Sequence, residues 1–531
     1  MARQLTPFGK FLVFACGIAL TGYALKRYGV LDKATRIVAP DKKAEGTVSK
    51  DDFGGVSGAA TAESSTSSSQ PLGRGARLGR PIRVAIVTWG GYAGGIVAND
   101  GFAPNPNSSF AKDFGVQVEL LVIDDFEKSR DAFRAGGDRG GVDIMWSTVD
   151  AFALEYGGLR SLNPKAILQY DWSRGGDAIV VDNTIQEVGG LRGKRLACAE
   201  ATPSHYFALF ALTQGGLTNR DVNWVFTTSA VEAANVFKAG KVDAAVSWSP
   251  DVYMAAKERG HILASTKEAS NLIADIFVAR GDFIEQHPED IRRFTAGWIK
   301  GVEKANANPD RTAALLAKSF SGIGLEDAKG MLEDVKLPNY SENKAFFSGQ
   351  GSLVTYHSIY KTAQGIWRKI GKINEVYEPY QTVDTRFLDG AAEFFASEAE
   401  SKPEFEFKAP PRPAAAPILT KTVSIYFPSG SFNLDENAKA VLDTQVVELA
   451  ATFGNAYLRI AGNTDTVGGR DANMRLSRLR AEAVAAYLVS RGFERNKFDV
   501  VGHGPDKPVA GNETDDGRAK NRRTDFEVIP R

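Results

Sequence analysis

The sequence predicts an α/β protein of two lobes, followed by a small α/β sandwich and preceded by an N-terminal transmembrane helix. Three observations carry this. From residue 82 to residue 279, short runs rich in Val, Ile and Ala alternate with helical patterns of about 10–15 residues, which reads as βαβ units and mostly parallel sheet. A proline-rich run then sets off a last stretch with its own strand–helix alternation. Residues 11–25 (FLVFACGIALTGYAL) form an apolar run behind a basic start of Arg3 and Lys10.

A chain of 531 residues is too long for one core, so two or three domains are expected. Hydrophobic residues at 43% and charged residues at 24% are ordinary globular material. Lys+Arg and Asp+Glu are equal at 64 each, so nothing points to a nucleic-acid partner. The two cysteines, Cys16 and Cys198, lie in unrelated segments and predict no disulfide. The five histidines are scattered, with no H-x-x-H or H-x-x-x-H pair, so neither a metal nor another cofactor is signalled. No nucleophile elbow, phosphate loop or paired-acid motif occurs, so no catalytic residue is nominated and no enzyme is expected.

In order, residues 1–30 read as a signal anchor, retained in the membrane with its N-terminus in the cytoplasm. Cleavage, or lipidation at Cys16, stays open. Residues 31–80 turn charged and then Gly/Ala/Ser-rich, ending in SSTSSS (64–69), a flexible linker with a reach of roughly 40 Å. Residues 81–400 form the two α/β lobes. Strands are expected at 82–87, 116–123, 142–146, 177–181, 195–199, 224–227, 242–246 and 275–279, and helices at 124–135, 204–214, 230–238 and from 288 to 395. The chain is expected to cross between lobes near Asp177 and Asp275. Residues 401–420, with Pro403, Pro410, Pro411, Pro413 and Pro417, read as a semi-rigid spacer. Residues 421–531 form the last domain, with strands at 423–427, 457–461, 498–501 and 525–529 and helices at 435–453 and 470–492.

Ligands of open α/β folds sit beyond the carboxyl ends of strands, at helix N-termini. That rule nominates Trp89, Gly90 and Tyr92 after the first strand and Ser147 and Thr148 after the VDIMW strand. It adds Thr202 and Ser204 in EATPSHY and Trp248 and Asp251 in SWSPD, with Asp177 at the lobe crossing. Hydroxyls at helix starts favour an anionic group, whereas Asp177 and Asp251 favour an amine, so the charge of the ligand is left open.

Residues 175–181 (GGDAIVV), 191–217 (LRGKRLACAEATPSHYFALFALTQGGL) and 240–251 (GKVDAAVSWSPD) resemble the solute-binding proteins of ABC importers, in the nitrate, sulfonate, taurine and thiamine-precursor group. The resemblance implies a venus-flytrap fold closing on a small polar solute and an ABC permease in the inner membrane as partner. One departure is the family's W-E-P, here Trp248-Ser249-Pro250, which removes a carboxylate.

The second signal is GNTDTVGGRDANMRLSRLR, residues 462–480. It holds T-D-x-x-G (Thr464, Asp465, Gly468) and N-x-x-L-S-x-x-R-A (Asn473, Leu476, Ser477, Arg480, Ala481). Gly502-x-Gly504, Pro508, Asn512 and GRAKNRR (517–523) follow. This segment resembles the OmpA-like peptidoglycan-binding domain. The resemblance implies capture of diaminopimelate, Asp465 taking its ammonium and Arg480 gripping its carboxylate, with Asn473, Thr464 and Arg523 in support. The implied protein sits in the periplasm of a Gram-negative bacterium, anchored in the inner membrane at one end and bound to the cell wall at the other. An alternative is a wall-anchoring scaffold whose middle domain is a spacer or docking module.

Overall fold

The computed structural model describes residues 77–349, 353–395, 405–408, 416–428 and 430–531. The expected anchor and linker, and most of the expected spacer, lie outside them. Among the described residues no helix is long and apolar enough to cross a membrane.

The first lobe is a six-stranded sheet in the order β11-β4-β10-β3-β1-β2, with β1 Ile82–Ile86, β2 Val118–Val122, β3 Ile144–Thr148, β4 Lys165–Ser173, β10 Ala274–Ala279 and β11 Val335–Lys336. The second is a five-stranded sheet in the order β7-β6-β8-β5-β9, with β5 Asp177–Asp182, β6 Arg195–Ala199, β7 Asn223–Thr227, β8 Ala244–Trp248 and β9 Gly260–Ser265. Only part of each is parallel: β1 with β2 and β3, and β6 with β7 and β8. The expectation of mostly parallel sheet is corrected by β4, β5, β9 and β10, which pair antiparallel. These are the strands flanking the two crossings, and a chain arriving from the other lobe enters against the βαβ direction.

Both crossings fall where expected, and Thr266 clasps them together. Its N–H donates to Asp177 O at 2.9 Å, and its hydroxyl accepts from Gly175 N at 3.0 Å and Asp177 N at 3.1 Å. Strands β4 and β9 have no counterpart among the expected elements. In β4, KAILQYDWS, every residue but the first is buried, so polar and apolar side chains both point inward and no period of two survives.

Two helical features brace the lobes. Helix Pro288–Ala307 packs on helix Ala93–Asn99 so closely that a Cβ on Gly95 would sit 2.0 Å from the Trp298 ring. Helix Tyr356–Lys369 carries the fully buried Trp367, whose indole N–H donates to Asp150 O of the first lobe at 2.9 Å. The same ring meets His205 and Tyr206 of the second lobe.

The last domain is a four-stranded sheet in the order β12-β15-β13-β14, with β12 Leu419–Val423, β13 Ala456–Asn463, β14 Phe498–Gly504 and β15 Thr524–Pro530. Its first strand starts earlier than expected, inside the proline-rich run. Pairing with β15, from Leu419↔Val528 to Val423↔Thr524, sets that register rather than local propensity. Helix Arg470–Ser490 lies on β13 and β14, and the contact needs glycine: a Cβ on Gly462 would be 2.2 Å from Ser477 O.

This domain docks on the second lobe and on the return crossing. Val188 N donates to Ile418 O at 2.9 Å, and Lys421 Nζ to Gln214 Oε1 at 2.7 Å. Asn271, in the segment between β9 and β10, donates from its backbone to Thr452 O at 3.1 Å and from its amide to Ala451 O at 2.8 Å. Lys497 satisfies the neighbouring carbonyls of Phe453 (2.7 Å), Gly454 (3.2 Å) and Ala456 (2.8 Å). Burial lowers the pKa of its ammonium to about 7.

Candidate functional site

The lobes meet around a floor of carboxylates. Asp150 opens helix Val149–Leu159 directly after β3, and Asp171 lies in β4 opposite Asp275 of β10. Asp177 starts β5 at the crossing. Asp150 and Asp171 are completely buried, and Asp177 and Asp275 nearly so.

The four share one electrostatic environment. Burial first, and neighbouring carboxylates after it, push Asp150 up to about 8 and Asp177 up to about 7. Asp171 and Asp275 are both raised, again by burial first. Asp334 adds a further like charge beside Asp177. Arg174, the nearest cation to Asp171, lies over the rings of Trp172 and Phe405 at 5.2 and 5.8 Å. Hydrogen bonds reach some of the oxygens. Trp89 Nε1 donates to Asp171 Oδ2 at 2.7 Å, Ser173 Oγ to Asp177 Oδ2 at 2.9 Å and Tyr170 Oη to Asp275 Oδ1 at 3.2 Å. Both oxygens of Asp150, and Oδ1 of Asp171, lack a hydrogen bond within 3.5 Å, while the Thr148 side chain beside Asp150 and Asp275 beside Asp171 partly oppose the rise that burial imposes on each.

Aromatic groups pack across the two lobes nearby. Trp248 of the second lobe meets Phe126 of the first at 6.3 Å between centroids, and Phe126 packs edge-on against Trp146 at 4.9 Å. Tyr253 Oη donates to Gly175 O at 2.6 Å.

The residues nominated from sequence separate into groups. Trp89, Asp177 and Trp248 are in or beside this floor. Ser204 is fully buried with its Oγ unpartnered, at the start of helix Pro203–Gln214. Others have partners of their own. Tyr92 is completely buried, with its hydroxyl 2.9 Å from that of Tyr170, and a Cβ on Gly90 would strike Met331 O at 2.3 Å. Ser147 Oγ donates to Thr148 O, Thr148 Oγ1 caps its helix by accepting from Ala151 N, and Thr202 Oγ1 donates to Ala199 O. Asp251 has Lys238 of its own lobe as its charged neighbour. Asp150 and Asp171 are not among the residues the loop rule nominates, and Asp275 enters only at a crossing: Asp150 stands two residues after the hydroxyl pair ending β3, and Asp171 lies in β4, whose continuous burial leaves no strand period.

The second charged site is on the last domain. Asp465 follows β13, accepts from Val467 N at 3.0 Å and pairs with Arg522 Nη1 at 2.7 Å. Arg480, two to three turns into helix Arg470–Ser490, donates from Nε to Ser431 O at 3.0 Å and lies over the Phe427 ring at 4.9 Å. Among the described residues it forms no ion pair within 4.0 Å, though Asp465 is close enough to oppose the lowering that burial imposes on it. Asn473 donates to Val467 O at 3.0 Å and Asp465 O at 3.3 Å, so it pins the turn to the helix. Thr464 is buried with its Oγ1 unpartnered. Arg523 is buried against Asp525 at 2.9 Å and Lys507 O at 3.0 Å, and it is Arg522 that pairs with Asp465.

Comparison with known proteins matches residues 176–312 to the NMT1/THI5-like family and residues 426–522 to the OmpA family. The chain joins a solute-binding domain to an OmpA domain. Over the solute-binding domain, it is 26% identical across 293 residues to the taurine-binding periplasmic protein of Escherichia coli (strain K12), covering 53% of this chain and 87% of that protein. Over the OmpA domain, it is 36% identical across 122 residues to outer membrane protein A of Bordetella avium, covering 22% of this chain. It is 36% identical across 108 residues to the peptidoglycan-associated lipoprotein of Pseudomonas putida, covering 20% of this chain. The matches span 62% and 64% of those two proteins, under two thirds of each. Among solved structures, the periplasmic aliphatic sulphonate binding protein SsuA of Escherichia coli aligns with 62% of this chain and 97% of its own, at 16% identity and a TM-score of 0.47.

Proposed function

We propose that this protein is a periplasmic solute-binding protein of an ABC-type importer, held to the cell wall by its OmpA domain and to the inner membrane by residues 1–30. The solute-binding domain captures a small polar solute between its lobes and presents it to a permease. Tethering raises the effective concentration of loaded protein near that permease. The OmpA domain binds the diaminopimelate of peptidoglycan, Asp465 receiving the ammonium and Arg480 the carboxylate.

The observation that carries the wall-binding half is the state of Arg480. Its guanidinium is half-buried, positioned by carbonyls and an aromatic ring, and without a carboxylate partner among the described residues. Such a group is ready for bidentate capture of a ligand carboxylate. The relative named for association with peptidoglycan supports the same reading. The test is sedimentation of the protein with isolated peptidoglycan. Wild type is expected in the pellet and Arg480→Ala in the supernatant; equal pelleting of both would remove the socket.

The scaffold reading keeps one observation in its favour. The OmpA domain hydrogen-bonds through its main chain to the crossing segment at Asn271, so the solute-binding domain also serves as its docking platform.

A further inference from the structure

Two lobes joined only by two crossings rotate about them by default. In this chain the OmpA domain lies across that joint and bonds to each part that would move. On the second lobe it holds Val188 through Ile418 and Gln214 through Lys421, and the Phe453 ring meets Phe210 at 6.3 Å between centroids. On the return crossing, Asn271 donates to Thr452 O and Ala451 O, and Asn455 Nδ2 donates to Lys267 O at 3.1 Å. At the first crossing, Arg174 lies over Phe405 at 5.8 Å, and Phe407, two residues on, packs against Tyr457 of β13 at 5.4 Å.

The first lobe is reached through helix Tyr356–Lys369. Trp367 bonds that helix to Asp150 O, and Tyr360 packs it against Phe152. On the same helix, Thr362 Oγ1 donates to Glu448 Oε1 of the OmpA domain. Lys421, whose ammonium burial disfavours, has Glu448 as its charged neighbour. One polar chain, Gln214–Lys421–Glu448–Thr362, therefore runs from the second lobe to the helix fixed on the first, with both middle members on one small domain. Around it the joint is not packed solid: a cleft of about 260 Å³ lies between this helix and helix Pro203–Gln214, with Glu448 in its wall. At the return crossing the fit is tight, and a Cβ on Gly454 would lie 2.6 Å from Asn271 Nδ2 and Ser270 Oγ.

The joint and the socket lie at opposite ends of β13. Asn455 precedes the first residue of the strand and Asp465 follows shortly after its last, so the eight residues between them span roughly 26 Å. The same domain can bond the hinge at one end and present its socket at the other.

We propose that the OmpA domain is a hinge clamp: docked, it holds the angle between the lobes, and undocking releases that angle. Rotation of one lobe against the other breaks the bond at Thr362 or the bond at Gln214. Whatever opens the lobes therefore loosens the docked domain, and loosening the domain eases opening by the same factor. The clamp needs no solute, so it is tested apart from the importer reading.

The test uses the full-length protein with spin labels at two exposed positions, Asp131→Cys on the first lobe and Glu258→Cys on the second, in a Cys16→Ser background; Cys198 is buried. Pulsed electron resonance reads the distance between the lobes. Hydrogen exchange at the Val188 and Asn271 amides, which donate across the contact, reads docking. Gly454→Phe inserts a ring at the return crossing, and Glu448→Ala combined with Lys421→Met removes the polar chain; the double variant keeps the test open should Gly454→Phe misfold. Exchange at both amides is expected to quicken about tenfold or more, and the lobe distance to shift or broaden by more than about 2 Å relative to wild type. Quickened exchange with an unchanged lobe distance would overturn the clamp. Exchange that quickens in neither variant would overturn it too, because the named contacts would not be what holds the domain.

Discussion

The two charged sites are built on opposite plans. In the OmpA domain the acid has a cation, Asp465 with Arg522, and Arg480 is held by carbonyls rather than by a carboxylate. In the cleft the acids have each other. Asp150, Asp171, Asp177 and Asp275 gather in a buried space where each raises the cost of ionising the next. A paired, half-exposed site can be assembled from one strand, one turn and one helix. A buried cluster of like charge persists only where the surrounding fold holds it together.

The largest expected effect breaks the cleft at its brace. Trp367→Ala removes a fully buried indole that contacts both lobes, and should destabilise the solute-binding domain by about 3–5 kcal/mol in urea unfolding. It should leave peptidoglycan pelleting in place under native conditions. Next comes the socket itself. Arg480→Ala should lower pelleting by about tenfold or more while the midpoint of thermal unfolding stays close to wild type, since its loss leaves no buried carboxylate unpaired.

Two pH experiments sharpen the contrast. The cleft carboxyls have folded pKa values above the unfolded one, so the folded domain binds more protons than the unfolded chain. Their stabilising contribution is full below about pH 4 and is lost as pH rises through about 7–8. Asp177→Asn should remove part of that slope, raising stability at pH 8 by roughly 1–3 kcal/mol, read from urea midpoints. Lys497 runs the other way. Its folded pKa is lowered to about 7, so the unfolded chain binds the extra proton above that point and stability rises with pH from about 7 to 10.5. Lys497→Met should flatten that rise; an unchanged slope would mean the lysine is not buried as described. The smallest effect is at the domain contact. Asn271→Ala should cost about 1–2 kcal/mol, seen as earlier release of the OmpA domain in hydrogen exchange at Ala451 and Thr452.

The closeness of Thr464, Asp465, Asn473 and Arg480 was legible in the sequence because they lie within one strand–turn–helix unit, where spacing alone fixes neighbours. Arg522, not Arg523, pairs with Asp465; adjacent residues near a strand point to opposite sides, and nothing local says which of the two faces the turn. In the cleft, the loop rule led to Trp89 and Trp248 beside the carboxylates, and to Tyr92, Ser147, Thr148 and Thr202, which pack or cap within their own lobe. A hydroxyl after a strand reads the same whether it bonds its own helix or a solute.

By itself the sequence determined the succession of elements, the two crossings near Asp177 and Asp275, the boundary region before the last domain and the local order of the socket. These are set by apolar periodicity and by turn and cap residues a few positions apart. Only the tertiary structure decided that β4 exists as a buried strand, that β12 begins within the proline-rich run, and that Asp150, Asp171, Asp177 and Asp275 converge. Those outcomes depend on strand pairing and lobe packing between residues distant in sequence, from tens of positions to about a hundred, where burial and Coulomb energy act through space and leave no mark on local pattern.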